Sequence, residues 1–123
     1  MELIYKNSTV EKQCTDLKTA KKLFGGDSKI ALSLMSRINA LEQAETIQDI
    51  VVQKQFHFHN LENKGKKNYK GYFAIDVKGR KDKWRIIIEP LDDNKNSFNP
   101  CYIDKIAKYV RVVNVMEVSN HYE

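Results

Sequence analysis

Two histidines stand two residues apart in the segment FHFHN, residues 56–60. If the segment is a strand, His57 and His59 lie on the same face, which would suit two metal-binding imidazoles. Zinc needs three or four protein ligands, however, and only His121 and a distant carboxylate could complete the set. Nearby lysines would also repel a dication. The sequence therefore predicts neither a metal site nor another cofactor.

The same region mixes histidine, lysine, arginine and tyrosine, the groups needed to cut RNA through its own 2′-hydroxyl. A neutral imidazole can remove the hydroxyl proton, a cation can stabilise the pentavalent phosphorane, and a further acid can protonate the departing 5′-oxygen. Arg85, beside Trp84, fits the phosphate role because its guanidinium is planar and permanently charged. Structural interpretations stay open: the histidines could be ordinary strand residues, Arg85 a strand-edge ion pair, and His121 and Tyr122 a frayed tail.

The charge of the chain is concentrated in one segment. Its 123 residues indicate a single domain, 1–123, with a formal net charge of +5. Residues 64–85 contain nine basic and two acidic residues, a net charge of +7, whereas the rest carries −2. This distribution is typical of a surface that faces a polyanion, or of a face kept charged for solubility.

Other classes of protein are disfavoured. No apolar run approaches the roughly 18 residues of a membrane span, and the N-terminus lacks the pattern of a signal peptide. A phosphate-binding loop, a serine-nucleophile elbow and paired carboxylates are also missing from the sequence. We expect a cytoplasmic protein with no membrane contact, in which Cys14 and Cys101 are free thiols and Cys14 belongs to the core.

Hydrophobic spacing and turn residues predict the elements that hold these side chains. Residues 1–7 read as a strand, and a capping box of Ser8 and Glu11 begins a helix that runs to about Phe24. Gly25-Gly26 ends that helix, and Asp27 or Ser28 caps a second one, so the two should form a hairpin. Extended patterns follow at 51–61, 71–79, 83–91 and 111–123, with a helical turn between the last two. The predicted fold is α+β, with an N-terminal strand and a two-helix hairpin packed on a mostly antiparallel sheet of four or five strands.

The order of these motifs resembles that of the RelE/ParE superfamily of bacterial toxins. The HigB branch, also called plasmid-maintenance killer proteins, is the most similar. The motif Phe-x-x-His-x-Leu is matched by FHFHNL, the basic loop by KGKKNYKG, and Trp-Arg-Ile by KWRIII. The terminal Asp-Tyr-His motif is matched loosely by Asn-His-Tyr in EVSNHYE.

This resemblance implies a fold like that of small microbial ribonucleases and the toxin role of a type II toxin–antitoxin system. HigB-type toxins cut mRNA in the ribosomal A site without a metal and so inhibit translation. Their partners are the mRNA, the rRNA and an antitoxin of the HigA type with a helix-turn-helix domain. Operator DNA is contacted only through the antitoxin.

The resemblance also assigns roles to residues of this chain. His59 would be the motif histidine and Arg85 the arginine that stabilises the transition state. Glu62 stands where many members have lysine, so Lys64 is the substitute for that catalytic lysine. Tyrosine and histidine are exchanged in the tail, which leaves open whether His59 or His121 takes the proton. The catalytic candidates are His59, Lys64, Arg85, His121 and Tyr122, and the RNA-binding candidates are His57, Lys66, Lys67, Lys70 and Lys83.

Two alternatives use the same fold without cleaving RNA. One is a ParE-like toxin that poisons DNA gyrase, which has no need for an acid/base pair. The other is a catalytically idle module that binds RNA or protein through its lysines, an interpretation that the altered C-terminal motif supports.

Overall fold

The computed structural model describes residues 1–61, 71–79 and 81–120. Helices cover one side of a five-stranded sheet. In chain order the elements are β1 (Glu2–Tyr5), α1 (Ser8–Thr15), α2 (Leu17–Leu23), α3 (Ser28–Gln43), α4 (Gln48–Val51), β2 (His59–Asn60), β3 (Phe73–Asp76), β4 (Arg85–Leu91), α5 (Ile103–Ile106) and β5 (Val112–Ser119). Single 3₁₀ turns lie at Lys54–Phe56 and Ala107–Tyr109. In these ranges every helix is too short or too polar to span a bilayer.

The sheet is mixed, with strand order β1-β5-β4-β3-β2. β1 runs parallel to β5, whereas the other three pairs are antiparallel. The α+β class and the N-terminal strand are confirmed. The parallel edge follows from connectivity, because the chain leaves β1 through the helices and β5 returns beside it in the same direction.

The first predicted helix is two helices that meet at Asp16. This residue is extended (φ −121°, ψ 115°) and its carboxylate accepts a hydrogen bond from the Thr19 main-chain N–H at 3.1 Å. An aspartate that caps the helix after it competes with continuation of the helix before it. The hydrogen bonds from Thr19 also lower the pKa of the Asp16 carboxyl.

Caps define the other helix ends. Asn7, rather than Ser8, caps α1, since its side-chain oxygen accepts from the Val10 N–H at 2.9 Å. Gly25 and Gly26 have φ values of 65° and 92°, the left-handed region in which a helix can stop without steric cost. Asp27, one of the two caps that the sequence predicts, caps α3.

The predicted strand at 51–61 is wrong for most of its length. Residues 48–51 form α4, a 3₁₀ turn follows, and pairing with β3 begins only at His59. Helical spacing prevails here because Ile47 and Ile50, three residues apart, are both fully buried. His57 ends the 3₁₀ turn in the left-handed region (φ 48°, ψ 52°).

The two faces of the sheet differ in what covers them. The face toward the helices belongs to the main core, to which the central strands contribute Phe73, Ile75, Ile86, Ile88 and Val118. The opposite face carries the alternating positions, in two rows defined by strand register. One row is His59, Ala74, Ile87 and Glu117, and the next is Asp76, Arg85 and Ser119. The candidate site lies on this second face.

Candidate functional site

A buried carboxylate links the arginine and the first histidine of the site. Oδ1 of Asp76 forms an ion pair with Arg85 Nε at 3.1 Å and lies 3.1 Å from His57 Nδ1. Asp76 and Arg85 are register partners on β3 and β4, with 1% and 6% of their surface exposed. Low solvent access strengthens such charge-assisted bonds. One oxygen atom therefore positions two of the residues that the sequence singles out.

The two imidazoles are stacked. The His57 and His59 ring centroids are 4.4 Å apart and the ring planes are inclined by 28°. His59 Nδ1 lies 2.6 Å from the His57 carbonyl oxygen. A carbonyl oxygen can only accept, so Nδ1 of His59 carries a proton and, in the neutral ring, Nε2 carries the lone pair. Asp76 likewise holds the proton of His57 on Nδ1. In their neutral forms both rings therefore offer Nε2 as a base.

The backbone at His57 makes this stacking possible. A regular strand would place the two rings about 7 Å apart, the distance between every second residue. The left-handed conformation of His57 (φ 48°) folds the chain back, so that its carbonyl meets the His59 ring. Left-handed non-glycine residues carry a strain of roughly 1–3 kcal/mol and are concentrated at functional sites. The Asp76 contact and the stacking offset this cost.

Arg85 is bound within the protein. Beyond its Nε contact with Asp76, its Nη1 donates to the main-chain carbonyls of Asp82 and Trp84, the latter at 2.9 Å. The Asp82 carboxylate in turn accepts from the Trp84 N–H at 3.0 Å. The guanidinium thus closes the turn between β3 and β4, and its positive charge lies beside the Asp76–His57 pair.

A second arginine joins the segments on either side of the site. Arg37 of α3 donates from Nε to the carbonyls of Asp76 and Val77, at 3.0 and 3.2 Å, and from Nη2 to the carbonyl of Gln55 at 3.2 Å. Its guanidinium also lies 4.8 Å from the centroid of the buried Phe56 ring. Burial lowers the pKa of the Arg37 guanidinium, and the nearby Asp76 charge opposes that shift. Arg37 therefore holds the end of β3 against the residues just before His57.

The second carboxylate oxygen of Asp76 is buried and has no hydrogen-bond partner in the described part of the chain. An unpaired buried carboxylate oxygen costs free energy, and such atoms are exceptional in folded proteins. Arg85 beside it offsets part of this cost by neutralising the charge. The buried Asp76 carboxylate therefore depends on its contacts with Arg85 and His57 to offset this cost.

The turn between β3 and β4 adds positive charge next to the Asp76–Arg85 pair. Lys83 is exposed two residues before Arg85, and Lys78 and Lys81 are exposed in the same turn. Solvated ammonium groups of this kind bind phosphate as point charges. The described site thus has a buried acid–arginine pair, two half-buried imidazoles and an exposed basic turn.

The structure brings together His57, His59 and Arg85 and places Lys83 close to them along the chain. Other predicted residues lie outside the described residues: Lys64, Lys66, Lys67, Lys70, His121 and Tyr122. Within the described ranges, no cluster of three or more histidine, cysteine, aspartate or glutamate side chains could hold a metal ion.

Sequence reasoning missed Asp76 and Arg37. Asp76 is an acidic residue at the end of an apolar strand in a segment dominated by lysine, and that isolation is the signal that could have identified it. Its partner follows only from the β3–β4 register. Arg37 directly precedes Ile38, one of the buried residues of α3, and that position next to the buried stripe is the signal that could have identified it.

The chain matches no protein-family model, no curated protein and no solved structure. Its membership of the RelE/ParE superfamily therefore stays a prediction from the motifs. The chemistry proposed for the site rests on its own residues.

Proposed function

We propose that this protein is a ribosome-dependent mRNA endoribonuclease that inhibits translation, the toxin of a type II toxin–antitoxin system. The observation that carries the proposal is the stacked pair of His57 and His59, with both Nδ1 protons held by acceptors. Such a pair presents the Nε2 lone pair of a neutral ring to a substrate. The left-handed backbone at His57 and the contact with buried Asp76 orient the pair, and strained positions of this kind are concentrated at functional sites.

Proton removal is assigned to His59. Its Nδ1 proton is fixed on the His57 carbonyl, so Nε2 of the neutral ring accepts the proton of the RNA 2′-hydroxyl. The oxygen then attacks the adjacent phosphorus, and the P–O5′ bond breaks. His57, held by Asp76, stacks on the ring of His59 and keeps that ring oriented.

The leaving oxygen needs a separate acid. Attacking and leaving oxygens stand roughly in line on opposite sides of phosphorus, so the group that protonates the leaving oxygen differs from the base. Protonation of the 5′-oxygen is assigned to the C-terminal residues His121 and Tyr122 because of the resemblance of the tail to the family motif. Lys64, Lys66, Lys67 and Lys70 with the basic β3–β4 turn would hold the RNA backbone.

A second candidate is a module of the same fold that binds RNA or protein without cleavage. The observation that favours it is the internal bonding of Arg85, whose Nε and Nη1 contact Asp76 and two main-chain carbonyls. A guanidinium committed in this way acts on the phosphate as a nearby charge rather than as a two-pronged ligand. We retain the nuclease as the better proposal because the idle module gives no role to the oriented imidazoles.

The partners proposed are mRNA and rRNA in the ribosomal A site and a HigA-type antitoxin, through which operator DNA is contacted. Primer extension on mRNA, after the protein has been induced in the cytoplasm of an expression host, tests the function. Cuts within translated codons, absent from the His59→Ala variant, are expected. Arrested replication without cuts would indicate the gyrase-directed alternative, and RNA binding without cuts the idle module.

A further inference from the structure

A cleft of about 550 Å³ opens where β5 extends past β1. β1 ends at Tyr5, and the Lys6 N–H makes the last bond to β5, with the Val115 carbonyl at 3.0 Å. The chain then turns away into α1, while β5 continues to Ser119. The cleft lies between α1 and this final part of β5. Its lining includes Lys6, Asn7, Gln13, Trp84, Glu117 and Asn120.

Trp84 supplies an aromatic wall. Its ring is held by an edge-to-face contact with the buried Phe24, at 4.8 Å between centroids and 86° between planes. The core thus fixes the orientation of the indole, which is partly exposed to the cleft. A positioned aromatic ring in an open polar cleft is a platform on which a nucleobase can stack.

The polar groups of the cleft favour an uncharged ligand. Lys6 and Glu117 have opposite charges, so the lining has little net charge to attract a phosphate. Three side-chain amides, those of Asn7, Gln13 and Asn120, line the same space. Amides offer both donors and acceptors, which match the edge of a base. Because Asn7 Oδ1 already accepts from Val10, its Nδ2 is the group that can donate to a ligand.

We propose that this cleft binds a single nucleobase of the RNA substrate, stacked on Trp84 and read by the amides of Asn7 and Gln13. The inference rests on the RNA-directed function proposed above and adds a specificity subsite to it. Trp84 precedes Arg85 in the chain, and Ser119 of the cleft is the register partner of Arg85. His59 and Glu117 share one row, three strand spacings apart, or about 14 Å. Because of this separation, the base bound in the cleft belongs to a nucleotide other than the one at the cut.

Trp84 is the single tryptophan of the chain, so its fluorescence reports on the cleft directly. The probe is a short single-stranded RNA with 2′-O-methyl riboses, which cannot be cleaved, and a series in which each position in turn is abasic. We expect the RNA to quench Trp84, and one abasic position to weaken that binding by roughly 5- to 150-fold, the range for loss of one stacked base. Uniform affinity across the series would overturn the proposal.

Two variants test the amides. Gln13→Leu keeps side-chain volume and removes the amide, and Asn7→Asp keeps a good helix cap while replacing the donor by a carboxylate. Both are expected to lower affinity for the intact RNA but not for the RNA that is abasic at the sensitive position. Gln43→Leu, at the far end of α3, is the matched control and should behave as the parent. Equal behaviour of Gln13→Leu and Gln43→Leu would contradict the subsite.

The RNA titration tests the base-binding subsite independently of the nuclease activity. The titration uses uncleavable RNA and is repeated in the His59→Ala variant, where quenching and its abasic pattern should persist. Position-dependent quenching without cuts within codons would support the base-binding subsite and contradict the nuclease activity. Cuts within codons together with Trp84 fluorescence that does not respond to RNA would support the nuclease and contradict the subsite. Quenching by a purified antitoxin but not by RNA would assign the cleft to a protein partner and overturn the proposal.

Discussion

His59 donates a hydrogen bond from Nδ1 to the carbonyl oxygen of His57, at 2.6 Å, and the two rings stack above one another. The bond fixes the tautomer of His59, and the stack limits its rotation. The orientation of the pair therefore depends on the contact of His57 with Asp76 and on the bond from His59 to the His57 carbonyl.

The first prediction concerns the base. His59→Ala should lower the cleavage rate by roughly 10²- to 10⁴-fold, the usual contribution of a general base, with the fold retained because the residue is only half-buried. Quench-flow cleavage of mRNA on programmed ribosomes measures the rate, and circular dichroism checks the fold. His57→Gln, which keeps a hydrogen-bond donor near Asp76, serves for comparison and should lose less of the cleavage rate. A larger loss in His57→Gln than in His59→Ala would exchange the two roles.

The second prediction concerns the buried ion pair. Arg85→Gln should unfold at lower urea concentration, by about 3–5 kcal/mol in free energy of unfolding, because it leaves the Asp76 carboxylate buried and unpaired by that arginine. Asp76→Asn should be destabilised as well, and the double variant less than the sum of the two. Loss of growth arrest by an Arg85 variant therefore counts as a catalytic effect only where the purified variant is folded. Additive losses in the double-mutant cycle would contradict the coupling.

The third prediction concerns Arg37. Arg37→Met removes three main-chain hydrogen bonds that join β3 to the segment before His57 and should lower the free energy of unfolding by roughly 1–3 kcal/mol. Activity of the folded variant should fall through the cleavage step rather than through RNA affinity, since His57 loses its support. Arg111→Met is the matched control: this arginine forms an exposed pair with Asp93 and should change stability little. Similar stability of the two variants would show that the Arg37 contacts contribute nothing.

The fourth prediction concerns thiol reactivity. Burial raises the pKa of Cys14 to about 12, so little thiolate exists at pH 8. Cys101 is half-buried, and its pKa is raised by burial and by Glu89. Alkylation of the native protein at pH 8 should modify Cys101 first, and mass spectrometry of peptides identifies the site. In urea the two should react at similar rates; prior labelling of Cys14 in the native state would place it outside the core.

The fifth prediction concerns alkaline stability. Burial raises the pKa of Tyr5 to about 12 from 10.0, so the folded state holds the phenol proton more tightly than the unfolded state. This contribution is fully present below pH 10 and is lost as pH rises toward 12. Tyr5→Phe should therefore lose less thermal stability than the parent over that window, as differential scanning calorimetry at a series of pH values would measure. Parallel curves for the two proteins would exclude a role for this group.

Local sequence accounts for the helices and for the identity of the reactive residues. The caps at Asn7, Asp16 and Asp27 and the turn at Gly25-Gly26 are decided by neighbours within a few positions, although apolar spacing alone does not predict the break at Asp16. The spacing in FHFHN and the Trp-Arg pair likewise single out both histidines and the arginine from the sequence alone. Periodicity is less reliable at 51–61, where the burial of residues just before this segment decides in favour of helix.

Tertiary structure decided how these residues act together. Asp76 and Arg85 face each other because β3 and β4 pair in one register, and a shift of one residue would send Asp76 to the helix-covered face. Sequence periodicity assigns residues to alternate faces but does not say which strand pairs with which, since that depends on contacts far apart in the chain. For the same reason the sequence could nominate a pair of histidines, whereas the left-handed turn at His57, the Asp76 contact and the Arg37 bridge arise only when α3, β3 and the segment before β2 pack together.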